Sequence, residues 1–218
     1  MLKKSTLDFL KKLKKNNNRE WFAEHKHLYE DAKTDYEIFI YELIQEIAEF
    51  DPSVAGLRPE DSMFRIYRDV RFSKDKSPYK TAFGAIIQEG GRKSGLSGYY
   101  FHLQPGNSFT AGGFFQPDPA KLLKIRKAVA ENYKQLFALM KQKEFVKYFK
   151  TLSEEDKLKT VPKGFAKEHP AAEFLKLKSY LVWHEFKDEE VLSKDLIKKA
   201  AKIFQAMQPL NNFLNKAI

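Results

Sequence analysis

The segment from Arg65 to Thr81 holds the densest group of chemically capable side chains in the sequence. It reads Arg-Ile-Tyr-Arg-Asp-Val-Arg-Phe-Ser-Lys-Asp-Lys-Ser-Pro-Tyr-Lys-Thr and contains six cationic and two acidic residues. Guanidinium and ammonium groups bind phosphate and carboxylate through charge-assisted hydrogen bonds. The segment therefore predicts a site for an anionic ligand.

Period-two alternation predicts that residues 63–72 are an extended strand, followed by a polar loop. A strand would place four polar or aromatic side chains on one face: Arg65, Tyr67, Asp69 and Arg71. A strand end followed by a cationic loop is a common way to build an anion site. The predicted ligand-binding residues are Arg65, Arg68, Arg71, Lys76, Tyr79 and Lys80.

Three residues are candidates for acid–base chemistry: His102, Asp69 and Asp75. Alternation places His102 on the same strand face as Tyr100 and Gln104, and that face can meet the arginines. Two alternatives stay open. His102 can be a hydrogen-bonded sheet histidine, and the aspartates can simply form ion pairs with the arginines.

Motifs for metal, nucleotide or nucleophile chemistry are absent. The sequence has no cysteine and five histidines, and it has no His-Glu-x-x-His, phosphate-loop or Gly-x-Ser-x-Gly pattern. We therefore predict no metal site and identify no cofactor. Whether the chain is an enzyme is left open.

The pattern of apolar residues predicts an α+β fold. Short alternating runs between residues 62 and 116, and again from Leu177 to Phe186, predict an antiparallel sheet of four to six strands. Apolar residues three and four apart predict N-terminal and C-terminal helices, the clearest from about 19 to 49 with a break near Asp35. Asn18 is a predicted N-cap. Paired Gly112 and Gly113 predict a bulge or a close backbone approach.

Composition sets the broad class. The chain has 218 residues, is 43% hydrophobic and has a formal charge of +10. That length and apolar content predict one domain spanning residues 1–218. The basic charge favours anionic partners, including nucleic acid. We find no run of apolar residues long enough to span a membrane and no signal peptide, so we expect a cytoplasmic protein without a membrane partner. Oligomeric state cannot be predicted.

Several polar stretches carry a resemblance to a known family. The central one is Arg68-Asp-Val-Arg-Phe-Ser-Lys-Asp-Lys-Ser-Pro-Tyr-Lys-Thr81. The others are Asn17-Asn-Arg-Glu-Trp-Phe22, Gly98-Tyr-Tyr-Phe-His-Leu103, Gly112-Gly113, Pro162-Lys-Gly-Phe165 and His169-Pro-Ala-Ala172. Their order and spacing resemble a mainly bacterial family known as a domain of unknown function. The resemblance implies that these segments belong to one pattern and supplies no catalytic residue.

Three functions are compatible with these observations. The first is binding of a phosphorylated or otherwise anionic small ligand, with or without chemistry on it. The second is nucleic-acid binding, because the chain is basic and aromatic side chains can stack on bases. The third is a non-catalytic protein-interaction module in which the charged segment is a structural ion-pair network.

Overall fold

Four of the predicted alternating segments form a sheet in the computed structural model, which describes residues 1–218. The strands are β1 (Phe83–Ile87), β2 (Gly98–Leu103), β3 (Ser108–Phe114) and β4 (Tyr180–Phe186). They are antiparallel and lie in the order β1-β2-β3-β4. A turn joins β1 to β2, whereas a helical stretch separates β3 from β4 in the chain.

Helices precede, interrupt and follow these strands. They are α1 (Lys4–Lys15), α2 (Arg19–Glu24), α3 (Lys26–Ala48), α4 (Pro59–Ser62), α5 (Pro119–Glu131), α6 (Tyr133–Met140), α7 (Lys143–Tyr148), α8 (Ala172–Leu175), α9 (Asp188–Val191) and α10 (Leu196–Asn215). A short 3₁₀ helix covers Pro52–Val54. The predicted α+β class with flanking helices is thus confirmed. No helix combines the length and the apolar character needed to cross a lipid bilayer.

The chain groups into two compact units. The first contains residues 1–94, 100–110 and 185–202, and the second contains residues 95–99, 111–184 and 203–218. The prediction of a single domain stays a prediction.

Aromatic packing between α3 and the sheet builds the core of the first unit. The rings of Phe39 and Phe101 lie 4.7 Å apart, and those of Tyr36 and Phe83 lie 5.3 Å apart. The Tyr36 hydroxyl donates to the carbonyl of Phe101 at 3.0 Å, so the buried phenol is satisfied. Such offset and tilted aromatic pairs add to the free energy of burying their apolar area.

The long N-terminal helix breaks at His25, ten residues before the position predicted from the sequence. Asn18 caps α2, as expected, by accepting the Trp21 N–H at 2.8 Å. His25 then leaves helical geometry, and its ring stacks on Trp21 at 4.4 Å. Asp35 instead lies inside α3, where its carboxylate accepts hydrogen bonds from the Lys3 N–H and the Thr6 hydroxyl of α1. The position near Asp35 was therefore wrong, because that residue ties two helices together.

Buried amide groups fasten α10 to β2 within the second unit. The side chain of Asn211 accepts from the Ser97 hydroxyl at 2.6 Å and donates to the Gly98 carbonyl at 3.1 Å. Asn215 makes a matching pair of hydrogen bonds to the Ser97 backbone. Pro209 lies inside this continuous helix.

The predicted strand at residues 63–72 was wrong. Its apolar face would bury every second residue, but Phe64 is 40% exposed and Phe72 is 96% exposed. The segment instead makes two isolated antiparallel bridges, from Met63 to Ala85 and from Tyr67 to Tyr79. No residue between Tyr67 and Tyr79 belongs to a strand. The sheet therefore has four strands.

Gly113 confirms the predicted close backbone approach. Its φ is +110°, and a Cβ atom placed there would lie 2.0 Å from the carbonyl oxygen of Tyr180. Only glycine fits both the dihedral and the contact.

We expect Gly113→Ala to be far more destabilising than Gly106→Ala. Gly106 also has a positive φ of +73° but has open space around it, so its substitution isolates the cost of the dihedral. That cost is about 1–2 kcal/mol, and the backbone overlap at Gly113 adds about 1–3 kcal/mol. Urea unfolding of both variants measures the difference. Equal losses of unfolding free energy would contradict the close approach.

Candidate functional site

A short two-stranded hairpin organises the charged segment. The Arg68 N–H donates to the Pro78 carbonyl at 2.9 Å, and the Lys80 N–H donates to the Ile66 carbonyl at 2.7 Å. We call residues 66–68 and 78–80 the hairpin base, and residues 69–77 the tip loop. The predicted site residues thus divide between a base and a tip.

Asn17 locks the hairpin base from outside. Its side-chain amide accepts the Tyr79 N–H at 3.1 Å and donates to the Tyr79 carbonyl at 2.9 Å. It therefore satisfies both backbone groups that a further strand would otherwise pair. In the sequence, Asn17 belongs to a family-like stretch without an evident role, because no local pattern joins residues 62 positions apart.

Tyr79, a predicted ligand-binding residue, faces the core. Its side chain is 6% exposed, and its ring stacks on Phe22 at 3.9 Å. Burial raises the pKa of its phenol. Tyr79 therefore contributes packing to the hairpin base.

Arg68, at the end of the hairpin base, and Arg71, in the tip loop, both pair with carboxylates of the tip loop. Arg68 Nη1 lies 2.5 Å from Asp75 Oδ2 and 3.1 Å from the Ser77 carbonyl. Arg71 makes a bidentate contact with Asp69, at 2.9 and 2.7 Å. These four residues match the ion-pair alternative kept open by the sequence. The acid–base roles of Asp69 and Asp75 stay predictions.

Two further contacts fix the shape of the tip loop. The Lys76 ammonium donates to the Val70 carbonyl at 3.1 Å, across the loop. Asp75 Oδ1 accepts the Ser77 N–H and the Ser77 hydroxyl at 2.9 and 2.6 Å. The hydrogen bonds from Ser77, followed by the one from Arg68, lower the pKa of Asp75 to about 2.

Arg65 and Lys80, which we call the cation pair, have no carboxylate partner within ion-pair distance. Arg65 is exposed, whereas Lys80 is half-buried with its ammonium 5.4 Å from the centre of the Phe64 ring. Burial, and then the positive charge of Arg65, lower the pKa of Lys80. An anion bound beside Lys80 would favour the charged form of its ammonium group and raise this lowered pKa.

A row of rings continues from the cation pair across the first unit. Phe64 meets Tyr100 edge-on at 6.2 Å, the Tyr100 hydroxyl lies 2.9 Å from His102 Nδ1, and His102 stacks on Phe109 at 4.6 Å. We call Phe64, Tyr100, His102 and Phe109 the aromatic row. It confirms that Tyr100 and His102 share a strand face.

The contacts of His102 fit a neutral imidazole. Its Nε2 lies 3.0 Å from Gln104 Oε1, an oxygen that can only accept, so Nε2 carries the proton. Nδ1 therefore accepts the Tyr100 O–H. Burial lowers the pKa of His102, and the hydrogen bond to Gln104 opposes this shift only in part. Burial also raises the pKa of Tyr100 to about 12.

Gly84 makes room for this arrangement, a role that the sequence analysis missed. A Cβ atom at Gly84 would lie 2.6 Å from the Tyr100 hydroxyl and 3.2 Å from its ring. A glycine inside an alternating strand is the only local sign of such a contact.

No group of three or more histidine, aspartate and glutamate side chains is placed to hold a metal ion. Among the predicted cationic residues, the side chains of Arg65 and Lys80 form no hydrogen bond or ion pair within the protein. The aromatic row connects Lys80 to His102.

Comparison with known proteins gives a family. A model described as a conserved hypothetical protein (DUF2461) matches residues 5–213. The chain belongs to the DUF2461 family. The resemblance seen in the sequence is thus confirmed over nearly the whole chain. No curated protein and no solved structure matches it.

We expect Asp75 to titrate near pH 2, well below its ordinary value of 3.8. Because the pKa is lowered in the folded state, Asp75 stabilises the fold above pH 3.8, and this contribution disappears as the pH falls through about 2. Carboxyl NMR titration should show that Ser77→Ala raises the pKa. Ser73→Ala is the control, since that hydroxyl contacts only the Arg68 guanidinium, at 3.4 Å. Equal behaviour of the two variants would exclude Ser77 as the main cause.

We expect Gly84→Ala to displace the Tyr100 hydroxyl from His102. The imidazole then loses a donor that favours its neutral form and gains solvent, so its pKa should rise toward the ordinary value. Ring ¹⁵N shifts report both the tautomer and the pKa. Unchanged His102 signals in this variant would contradict the contact.

Proposed function

We propose that this protein binds a small anionic ligand, of which a phosphorylated compound is the best match, at the cation pair Arg65 and Lys80. The observation that carries the proposal is that Arg65 and Lys80 lack carboxylate partners while the charge of Arg65 acts on the half-buried Lys80, whereas Arg68 and Arg71 each have a partner in the same segment. Like charges held close together, one of them half-buried, reduce stability unless an anion joins them.

The two cations suit different parts of such a ligand. The Arg65 guanidinium offers a planar fork for two oxygens, and the Lys80 ammonium offers a point charge. The Lys80 ammonium lies over the Phe64 ring, which limits the side-chain entropy that Lys80 loses when a ligand binds.

His102 would provide polar ring nitrogens to the proposed site but no charge. Both ring nitrogens already have partners, so the neutral imidazole can donate to a ligand only by exchanging Gln104 for a ligand oxygen. The proposal is therefore one of binding, with His102 and Tyr100 setting the orientation of the ligand.

A thermal-shift screen of inorganic phosphate, pyrophosphate and sugar phosphates, which carry no base to stack on the tip loop, tests this proposal. A ligand present at about 100 times its Kd stabilises the folded state by about 2.7 kcal/mol and raises Tm. We expect Arg65→Met and Lys80→Met to abolish this shift, because methionine keeps the apolar stem and removes the charge.

Lys74→Met is the matched control. Lys74 is an exposed lysine of the tip loop without an ion pair, so its loss changes net charge equally but leaves the site intact. A shift that Lys74→Met reduces as much as Lys80→Met reflects general charge and would contradict the proposal. The absence of any shift across the panel would do the same.

A further inference from the structure

The tip loop presents one aromatic side chain entirely to solvent. Phe72 is 96% exposed, the highest value among the large apolar side chains of the protein. Removing an apolar ring from water is favourable, so leaving one fully exposed forgoes free energy unless the ring has a partner. No ring of the protein packs against Phe72, and the Arg71 Cζ lies 5.8 Å from its ring centre.

The loop holds Phe72 in this position by internal bonds. Arg68 joins Asp75, Arg71 joins Asp69, and Lys76 reaches the Val70 carbonyl. The ring is therefore presented on a fixed frame, which lowers the entropy lost when a partner binds.

The charges of the tip loop favour a negatively charged partner. Residues 68–77 contain four cations and two acids, and the two acids are already paired with arginines. The surplus charge lies on Lys74 and Lys76, on either side of Asp75. An exposed aromatic ring beside lysines without carboxylate partners suits a ligand that combines flat rings with negative charges.

We propose that the tip loop is a contact site for single-stranded nucleic acid, with a base stacking on Phe72 and phosphates meeting Lys74 and Lys76. Single strands offer both unpaired base faces and phosphates, and proteins that bind them combine stacking rings with cations. Arg71 lies beside the Phe72 ring and adds a cation next to the stacked base. This site is separate from the cation pair and does not depend on a small-molecule ligand there.

An anionic lipid surface is the competing partner for an exposed ring among cations. One phenylalanine and two surplus lysines provide a weak anchor, since stable attachment to a membrane takes two strong signals. Base stacking needs only one ring per base, which is what the loop offers.

The test measures fluorescence anisotropy of a labelled oligothymidine of about 12 nucleotides, a length within the range of known single-strand sites. We expect Phe72→Ala to weaken binding about tenfold, because stacking on one base is lost. Phe115→Ala is the matched control, being a 73%-exposed phenylalanine outside the loop, and should bind as the wild type does. Both substitutions remove an exposed ring, so neither should change stability by more than about 0.5 kcal/mol.

Two further variants separate stacking from apolar insertion. Phe72→Trp should keep the affinity, and its tryptophan emission should be quenched by the oligonucleotide. Phe72→Leu keeps an apolar side chain without a flat ring and should lose affinity as Phe72→Ala does. Removing Lys74 and Lys76 together should reduce the slope of log affinity against log salt by about 1–2 between about 50 and 200 mM.

Three outcomes would overturn the proposal. One is no binding of the oligonucleotide by the wild type at low salt. Another is equal affinity of Phe72→Leu and the wild type. The third is a blue shift of Phe72→Trp on vesicles of phosphatidylcholine and phosphatidylserine without quenching by the oligonucleotide, which would assign the loop to a lipid surface.

Discussion

The pairing of residues 66–68 with residues 78–80 is the constraint on which the rest of the charged segment depends. Two backbone hydrogen bonds close the hairpin, and the Asn17 amide satisfies the outward N–H and carbonyl of Tyr79. Unpaired backbone groups at such an edge cost free energy or attract another strand. Asn17 therefore satisfies the outer side of the hairpin, whereas Met63, just before the hairpin, bridges to Ala85 of β1.

This hairpin separates one run of charged residues into a part that forms ion pairs and a part that does not. The guanidinium groups of Arg68 and Arg71 pair with carboxylates of the tip loop. Exposed ion pairs of this kind contribute little stability, and their main effect is geometric. Arg65, which precedes the hairpin base, and Lys80, which ends it, have no carboxylate within ion-pair distance. The tip loop exposes the ring of Phe72. Arg65 and Lys80 are suited to bind an anion.

The sequence predicted elements whose cause is local. Alternation bounded by glycine and proline located β1 to β4, and the Asn18 cap followed from its position before an apolar stripe. It also placed Tyr100 and His102 on one face, because strand geometry fixes that relation. The same alternation was misleading at residues 63–72, since nothing local shows whether an extended segment has neighbours on both sides.

The candidate site was less predictable because it depends on contacts distant in sequence. The local pair of Arg71 with Asp69 was among the alternatives that the sequence left open. Tyr79 was expected at the ligand but stacks on Phe22, 57 positions earlier in the sequence. The exposure of Phe72 follows from the closed hairpin, which the pattern of residue types does not reveal.

The most direct test of this division is a lysine-resolved NMR titration after reductive ¹³C-methylation. In the free protein, the pKa of Lys80 should lie below its ordinary value of 10.5, because Lys80 is half-buried and has the charge of Arg65 nearby. A phosphorylated ligand that shifts Tm should raise the pKa of Lys80, since a nearby anion favours the charged form. If Lys80 titrates at its ordinary value in the free protein, or if the ligand leaves the pKa of Lys80 unchanged, the assignment of the anion site to Arg65 and Lys80 is wrong.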